Sequence, residues 1–146
     1  MRKEIKFLLV LICILNYIRE TRACSCIPNK SVEFEVERSK TVFLGTVIDI
    51  KEKDEFYLNV TFRLLKSWKG NFKLNSDIEK DIFVVVQTCK YSSCCGVKFE
   101  ENKSYLVYAN DGWPQGEDFY NVSLCSRTKI LESAEEDVKE LEKKYN

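Results

Sequence analysis

Two predicted strands and the turn between them occupy residues Thr41 to Trp68, with the sequence TVFLGTVIDIKEKDEFYLNVTFRLLKSW. The first part, Thr41 to Ile50, is rich in β-branched and aromatic residues, and Gly45 within it indicates a bend or a bulge. A polar turn, Lys51 to Glu55, separates it from Phe56 to Trp68, which alternates apolar and polar residues over much of its length. This alternation predicts a second strand.

Three shorter apolar segments follow towards the C-terminus. Ile82 to Val86, Tyr105 to Ala109 and Phe119 to Leu124 each have the composition of a strand. Turn residues from Asp111 to Gly116 predict a loop before the last of them. Five strands at this spacing predict a mainly β fold, a small antiparallel barrel, in one domain.

The segment before the first strand, Ser31 to Ser39, carries two conflicting signals. Val32, Phe34 and Val36 alternate with polar residues as in a strand. Ser31, followed by acidic residues, also suits the capped start of a helix. The period alone favours a strand.

The C-terminal segment, residues 131–146, predicts a helix that packs on the barrel. Ser133 and Glu136 form a capping box, with Ser133 as the N-cap. Apolar residues then recur at helical spacing along one face: Ala134, Val138, Leu141 and Tyr145.

The composition argues against an enzyme. The 146 residues include no histidine, which excludes a Ser-His-Asp or Cys-His catalytic unit and an HExxH zinc helix. The chain has no cofactor motif, so we expect no cofactor. The 23 basic and 23 acidic side chains balance, and the sequence has no basic tract of the kind that binds nucleic acid.

The first 23 residues have the pattern of a signal peptide. A basic start is followed by an apolar run of 12 residues, Phe7 to Ile18, whereas a membrane-spanning helix needs about 20. The small residues Thr21 and Ala23 predict cleavage after Ala23, and the alternative is an uncleaved signal anchor. We therefore expect residues 24–146 to be secreted as an extracellular protein with no membrane segment.

The cysteine count agrees with secretion. Removing the signal peptide removes Cys13 and leaves an even set: Cys24, Cys26, Cys89, Cys94, Cys95 and Cys125. An even number in a secreted chain predicts a disulfide framework, although the count alone leaves the pairing open. Four sequons mark candidate N-glycosylation sites: Asn29, Asn59, Asn102 and Asn121.

Six short motifs occur in order along the predicted mature chain. They are Cys24-Ser25-Cys26-Ile27-Pro28 at the cleavage point, Val42 to Val47 (VFLGTV), Val60 to Gly70 (VTFRLLKSWKG), Cys95-Gly96, Tyr105 to Ala109 (YLVYA) and Leu124-Cys125-Ser126. The set resembles the amino-terminal netrin-like (NTR) domain of the tissue inhibitors of metalloproteinases (TIMPs). The resemblance covers Cys24 to about Leu131, and the domain that it predicts spans residues 24–146.

The resemblance implies an OB-fold barrel of five strands with flanking helices. It also implies a set of disulfides: Cys24–Cys95, Cys26–Cys125 and, as the pair left over, Cys89–Cys94. Because Cys94 and Cys95 are adjacent, they could exchange partners, and that assignment stays open.

The same resemblance implies a secreted inhibitor of zinc metalloproteases of the matrix metalloproteinase or a related type. Its inhibitory groups would be the free α-amine and the carbonyl oxygen of Cys24, which chelate the catalytic zinc of the target enzyme. Ser25 would enter the specificity pocket of that enzyme, and further residues would lie along its cleft: Cys26, Ile27, Pro28, Ser93, Cys94 and Cys95. We expect a monomer whose partners are zinc metalloproteases, with extracellular matrix as a further candidate.

Some features depart from the family pattern. From the resemblance, we expect no counterpart of the second cysteine-rich domain of the vertebrate inhibitors. The third family disulfide has none either, because no cysteine occurs between Ile27 and Thr88. A glycan on Asn29 would obstruct the enzyme cleft. The alternative function is a non-inhibitory NTR module that binds extracellular matrix, growth-factor or immune components.

Overall fold

The computed structural model describes residues 24–27, 31–70, 72, 81–112 and 119–145. In chain order, the elements are helix α1 (Val32–Arg38), strands β1 (Thr41–Glu52), β2 (Tyr57–Lys69) and β3 (Phe83–Cys89), a 3-10 turn (Ser92–Cys94), strands β4 (Ser104–Asp111), β5 (Tyr120–Asn121) and β6 (Lys129–Ile130), a second 3-10 turn (Leu131–Ser133) and helix α2 (Glu135–Lys144). The predicted signal peptide, residues 1–23, lies outside the described residues.

The strands form one sheet in the order β1-β2-β3-β5-β4-β6, and β1 also pairs with β4. This additional pairing closes β1, β2, β3, β5 and β4 into a ring. The mainly β class that the sequence predicts is therefore confirmed.

One pairing in the ring is parallel, so the prediction of a wholly antiparallel sheet is wrong. β3 and β5 run parallel, with Val86 beside Tyr120 and Gln87 beside Asn121. The other pairs around the ring are antiparallel. The reason is geometric, because strand directions cannot alternate all the way around a closed ring with an odd number of strands.

The last predicted strand is shorter than the sequence indicates. Its apolar composition predicts a strand from Phe119 to Leu124, but only Tyr120–Asn121 pairs in the sheet. Soon after, the Leu124 amide donates to the Cys95 carbonyl, and the Ser126 amide donates to the Ser123 carbonyl and closes a turn, so the end of the predicted strand is not part of the sheet. Strand β6 has only two residues and is too short to produce a pattern in the sequence.

The interior of the ring is filled by apolar side chains that alternate along the strands. Phe43 and Phe62 meet edge to face there, with ring centroids 5.5 Å apart. The predicted irregularity at Gly45 is confirmed, since the register of β1 against β2 shifts between Leu44 and Gly45. An added Cβ at Gly45 would lie 3.2 Å from the Phe62 side chain, so the bulge brings the two strands into close contact.

Helix α1 replaces the strand that the alternation before β1 favours, and that interpretation is wrong. The Ser31 hydroxyl accepts a hydrogen bond from the Phe34 amide at 3.1 Å and caps the helix. Val32 and Val36, four residues apart, are buried, whereas Phe34 is 44% exposed. A strand would place all three side chains on one face, but the helix separates them.

Helix α2 confirms the predicted apolar face but not the predicted cap. Ser133 ends the second 3-10 turn, and Ala134 is the N-cap with no side-chain hydrogen bond. The capping box of Ser133 and Glu136 is therefore wrong. Ala134 and Leu141 are buried, and Val138 packs beside them.

Both helices cover the outer side of β1 and β4. Their apolar residues form a second cluster with side chains of these strands: Val32, Val36, Val42, Leu106, Tyr108, Ala134 and Leu141. Among the described residues, no helix has the length and apolar character to cross a membrane.

Candidate functional site

Two disulfides fasten the residues at the predicted cleavage point to the ring. Cys24 is bonded to Cys95 and Cys26 to Cys125, with Cα–Cα distances of 5.6 Å and 5.1 Å. Cys24–Ile27 forms neither helix nor strand, so these covalent bonds are what fix its position. The two pairs are those that the family resemblance implies.

The side chains between and after these cysteines face solvent. Ser25 is exposed, and Ile27 is 67% exposed. Neither side chain therefore contributes to the core of the described fold. Pro28 and Asn29, which the sequence also singles out, lie outside the described residues.

A short turn after β3 forms the other side of the site. Cys89, the last residue of β3, is bonded to Cys94 with a Cα–Cα distance of 6.0 Å. The amides of Cys94 and Gly96 both donate to the Tyr91 carbonyl, at 3.3 Å and 3.2 Å. The turn is thus closed by one covalent bond and by backbone hydrogen bonds. We call Cys24–Ile27 together with Ser92–Cys95 the N-terminal edge.

Cys95 joins the two halves of the N-terminal edge. Its backbone is left-handed, with φ of 64°, and its amide donates to the Ser92 carbonyl at 3.1 Å. Its own carbonyl accepts from the Leu124 amide at 2.8 Å. The Cys24 Sγ lies 3.4 Å from the Ser92 carbonyl oxygen. The structure therefore brings Cys24, Ser92 and Cys95 together, and Ser93 and Cys94 lie exposed on the same turn.

The position after Cys95 tolerates only glycine. An added Cβ on Gly96 would overlap the carbonyl oxygen of Cys89, because the turn crosses the end of β3 at contact distance. One residue further, the Val97 amide donates to the Thr88 hydroxyl at 2.9 Å. The Cys95-Gly96 motif therefore has a steric reason in this fold.

Sequence reasoning missed two exposed apolar side chains next to the N-terminal edge. Tyr91 precedes the 3-10 turn and is 45% exposed, and Leu124 precedes Cys125 and is 49% exposed. With Ile27, they are three exposed apolar side chains on or next to the N-terminal edge. The sequence could have indicated Leu124, because it directly precedes Cys125, which is bonded to Cys26 of the N-terminal edge.

Sequence reasoning also missed an ion pair that anchors the chain after Cys125. The Arg127 guanidinium donates two hydrogen bonds to the Asp137 carboxylate, at 2.9 Å and 2.6 Å, and Lys129 lies 3.2 Å from the same carboxylate. Burial favours the neutral form of Asp137, but the hydrogen bonds and charges of Arg127 and Lys129 outweigh it and hold the pKa of Asp137 below its usual value. The Arg127 amide also donates to Glu35 at 3.3 Å, so the loop is tied to both helices.

Three of the four sequons lie in the described part of the chain. Asn102 is exposed and has a positive φ of 62°, which suits an asparagine in a turn. Asn59 and Asn121 are half-buried, on β2 and β5. Asn29, which follows Cys24 by five residues in the sequence, falls outside the described residues.

The chemistry that the N-terminal edge offers is that of its backbone. The sulfurs of Cys24, Cys26 and Cys95 are all in disulfides and are not free thiolates for a metal. The described residues include no group of three or more His, Cys, Asp or Glu side chains that could hold a metal ion. A scan against protein-family models and a search of curated proteins return no match to this chain.

Proposed function

We propose that this protein is a secreted inhibitor of zinc metalloproteases and that it acts through the N-terminal edge rather than as an enzyme. The observation that carries the proposal is the position of Cys24, which a disulfide to Cys95 holds at the surface beside exposed Ser25. The proposal includes cleavage after Ala23, which gives Cys24 a free α-amine.

The inhibitory groups are the α-amine and the carbonyl oxygen of Cys24. The catalytic zinc of a metalloprotease keeps one position open for the attacking water, and a ligand that fills it blocks the reaction. An α-amine has a pKa of about 7.7–8.0, so it loses its proton to a metal near neutral pH more readily than a lysine does. The Cys24 sulfur is bonded to Cys95, which leaves the backbone as the ligand.

The covalent anchors favour tight binding because they fix the edge before the enzyme arrives. A flexible N-terminus would lose conformational freedom on binding, and that loss weakens affinity. In the proposed complex, Ser25 enters the specificity pocket beside the zinc. Cys26, Ile27 and Pro28 continue along the cleft, with Ser93, Cys94 and Cys95 beside them.

The proposal extends to the fold, which we infer to be an OB-fold. An OB-fold is a five-stranded, partly open Greek-key barrel. The order β1-β2-β3-β5-β4 with closure between β4 and β1 supports this inference. So do the short contacts of β5, which pairs with β3 and with β4 through only two residue pairs each and leaves the ring weakly closed there. Secretion is supported by the disulfides, which persist in oxidising compartments.

An inhibition titration tests the proposal. The secreted protein, with Cys24 verified as its first residue by mass spectrometry, is titrated against a matrix-type metalloprotease with and without a small hydroxamate that occupies the zinc. We expect inhibition, and competition between the protein and the hydroxamate. Absence of inhibition at micromolar protein would reject the proposal and favour the non-inhibitory NTR module.

A further inference from the structure

The outer side of β2 and β3 differs from the rest of the sheet. The helices cover β1 and β4, whereas this side presents large apolar side chains to solvent: Tyr57, Leu65, Phe83 and Val85. Phe83 and Val85, with exposures of 47% and 38%, occupy alternate positions of β3 and therefore share its outer face.

The start of β3 is also an edge of the sheet. β3 meets β5 only at Val86 and Gln87, so within the described residues the Phe83–Val85 part has no strand paired on that side. The unpaired backbone N–H and C=O groups of such an edge are a template for pairing with another chain, and native proteins protect exposed edges, above all long apolar ones.

Asn59 lies beside this apolar surface. It pairs with Gln87 across the two strands, and Thr61 of the same sequon pairs with Val85. Val60 between them is buried in the core, so the alternation of the strand turns Asn59 and Thr61 outwards. Diagonal neighbours on adjacent strands are about 7–8 Å apart, which brings Val85 within reach of a group attached to Asn59.

The Asn59 amide is oriented in the fold so that a sugar on its nitrogen leaves its side-chain contact intact. The Gln87 side chain is 3% exposed, and its Nε2 donates to the Asn59 Oδ1 at 3.4 Å. This contact uses the carbonyl oxygen of the Asn59 amide and not its nitrogen. A sugar on Nδ2 keeps the contact, because a glycosylated amide retains its carbonyl oxygen as an acceptor.

We propose that Asn59 carries an N-linked glycan whose first sugars lie over Tyr57 and Val85 and shield the apolar edge of β3. The transfer forms a bond from Asn59 Nδ2 to the anomeric carbon of the sugar and breaks the bond between that carbon and the diphosphate of a lipid-linked oligosaccharide donor. The amide nitrogen loses one proton, and no oxidant is needed. The glycan keeps the chain monomeric, and this role is independent of protease inhibition.

Asn102 provides a comparison within the same chain. Of the three sequons in the described part of the chain, it is the one that is exposed, but its neighbours Glu101 and Lys103 are charged, so a glycan there covers no apolar surface. The two sites therefore predict different consequences when their glycans are removed.

The test uses the full chain secreted from eukaryotic cells, with glycopeptide mass spectrometry and sedimentation velocity. We expect Asn59 to be occupied and Asn59→Gln to self-associate at concentrations where the unmodified sequence stays monomeric. The matched controls are Thr61→Ser, which keeps the sequon, and Asn102→Gln, and both should stay monomeric. Adding Val85→Lys to Asn59→Gln should restore the monomer.

If Asn59→Gln is not secreted, enzymatic deglycosylation of the folded protein supplies the same comparison. An unoccupied Asn59 in secreted protein overturns the proposal. A deglycosylated protein that stays monomeric at the same concentrations also overturns it. Neither outcome depends on whether the protein inhibits a protease.

Discussion

The N-terminal edge and the helix-covered side of the ring are held together in different ways. Cys24–Ile27 has no secondary structure, and disulfides to Cys95 and Cys125 hold it. Helix α2, by contrast, buries Leu141 completely and ties Asp137 to Arg127. Covalent anchoring leaves the side chains of the N-terminal edge exposed and free to contact a partner. The side chains that hold α2 are buried in the fold and cannot do so. The comparison predicts that stability and binding can be changed separately.

The largest effect is expected when the main covalent anchor is removed. Cys24→Ser together with Cys95→Ser keeps the α-amine at position 24 but releases it from the ring. In the chain-entropy model a closure of this length contributes about 4 kcal/mol to the free energy of unfolding, and we expect a loss of that order. We also expect the inhibition constant to rise by roughly two orders of magnitude. Denaturant unfolding and enzyme titration measure the two effects, and an unchanged inhibition constant would contradict the role given to this disulfide.

On the helix side, Leu141→Ala should lower the free energy of unfolding by about 3 kcal/mol, because it leaves a cavity at a fully buried position. Below the unfolding transition, the inhibition constant should not change. Lys139→Ala, at an exposed position of the same helix, is the matched control and should shift stability by less than about 0.5 kcal/mol. Weaker inhibition by folded Leu141→Ala protein would show that the two regions are coupled.

Asp137→Asn should lower the free energy of unfolding by roughly 2–3 kcal/mol at neutral pH, because it removes charged hydrogen bonds from Arg127. The folded pKa of Asp137 lies below its unfolded value of about 3.9. The contribution of the Asp137 carboxylate to the free energy of unfolding is therefore fully present above the unfolded pKa. It is lost as the pH falls through the lower folded pKa.

The Asp137→Asn variant should accordingly lose less stability than the unmodified protein when acidified below about pH 4. Glu132→Gln, at an exposed acidic position, serves as the control. Parallel acid-unfolding curves for the unmodified protein and Asp137→Asn would argue against this account of the ion pair.

The smallest effect concerns the local disulfide. The double substitution of Cys89→Ala and Cys94→Ala leaves Cys24 bonded to Cys95. It removes the disulfide that closes the turn between the end of β3 and Cys95. In the chain-entropy model, the short loop that the Cys89–Cys94 disulfide closes contributes about 2 kcal/mol to the free energy of unfolding. We expect the inhibition constant to rise roughly tenfold through faster dissociation. An effect as large as that of the Cys24 and Cys95 double variant would mean that the local bond, and not the long-range one, positions the edge.

The sequence predicts the parts of this fold that follow a period. The long alternating strands β1 and β2, and the apolar face of α2, appear close to where the pattern places them. The sequence prediction fails at α1, where Val32, Phe34 and Val36 alternate with polar residues as in a strand. In the structure, Ser31 caps a helix, and Val32 and Val36 lie on its buried face as an i, i+4 pair. The sequence prediction also fails at β5, whose partner in the ring is set by closure of the sheet and not by local composition.

At the candidate site, the sequence shows the cysteines but not the contacts that support them. The crossing of Gly96 over Cys89 depends on a close approach in three dimensions. The ion pair of Arg127 with Asp137 likewise joins a loop to a helix. Neither produces a spacing pattern along the chain.

The central claim is that the free backbone amine of Cys24 is the inhibitory group, and one paired titration tests it most directly. The protein that begins at Cys24 and the same protein with one alanine added before Cys24 are compared against one matrix-type metalloprotease. Both should show the same fold and thermal unfolding. We predict that the first inhibits stoichiometrically and that the second does not inhibit at micromolar concentration. Equal inhibition by the two proteins would contradict the account.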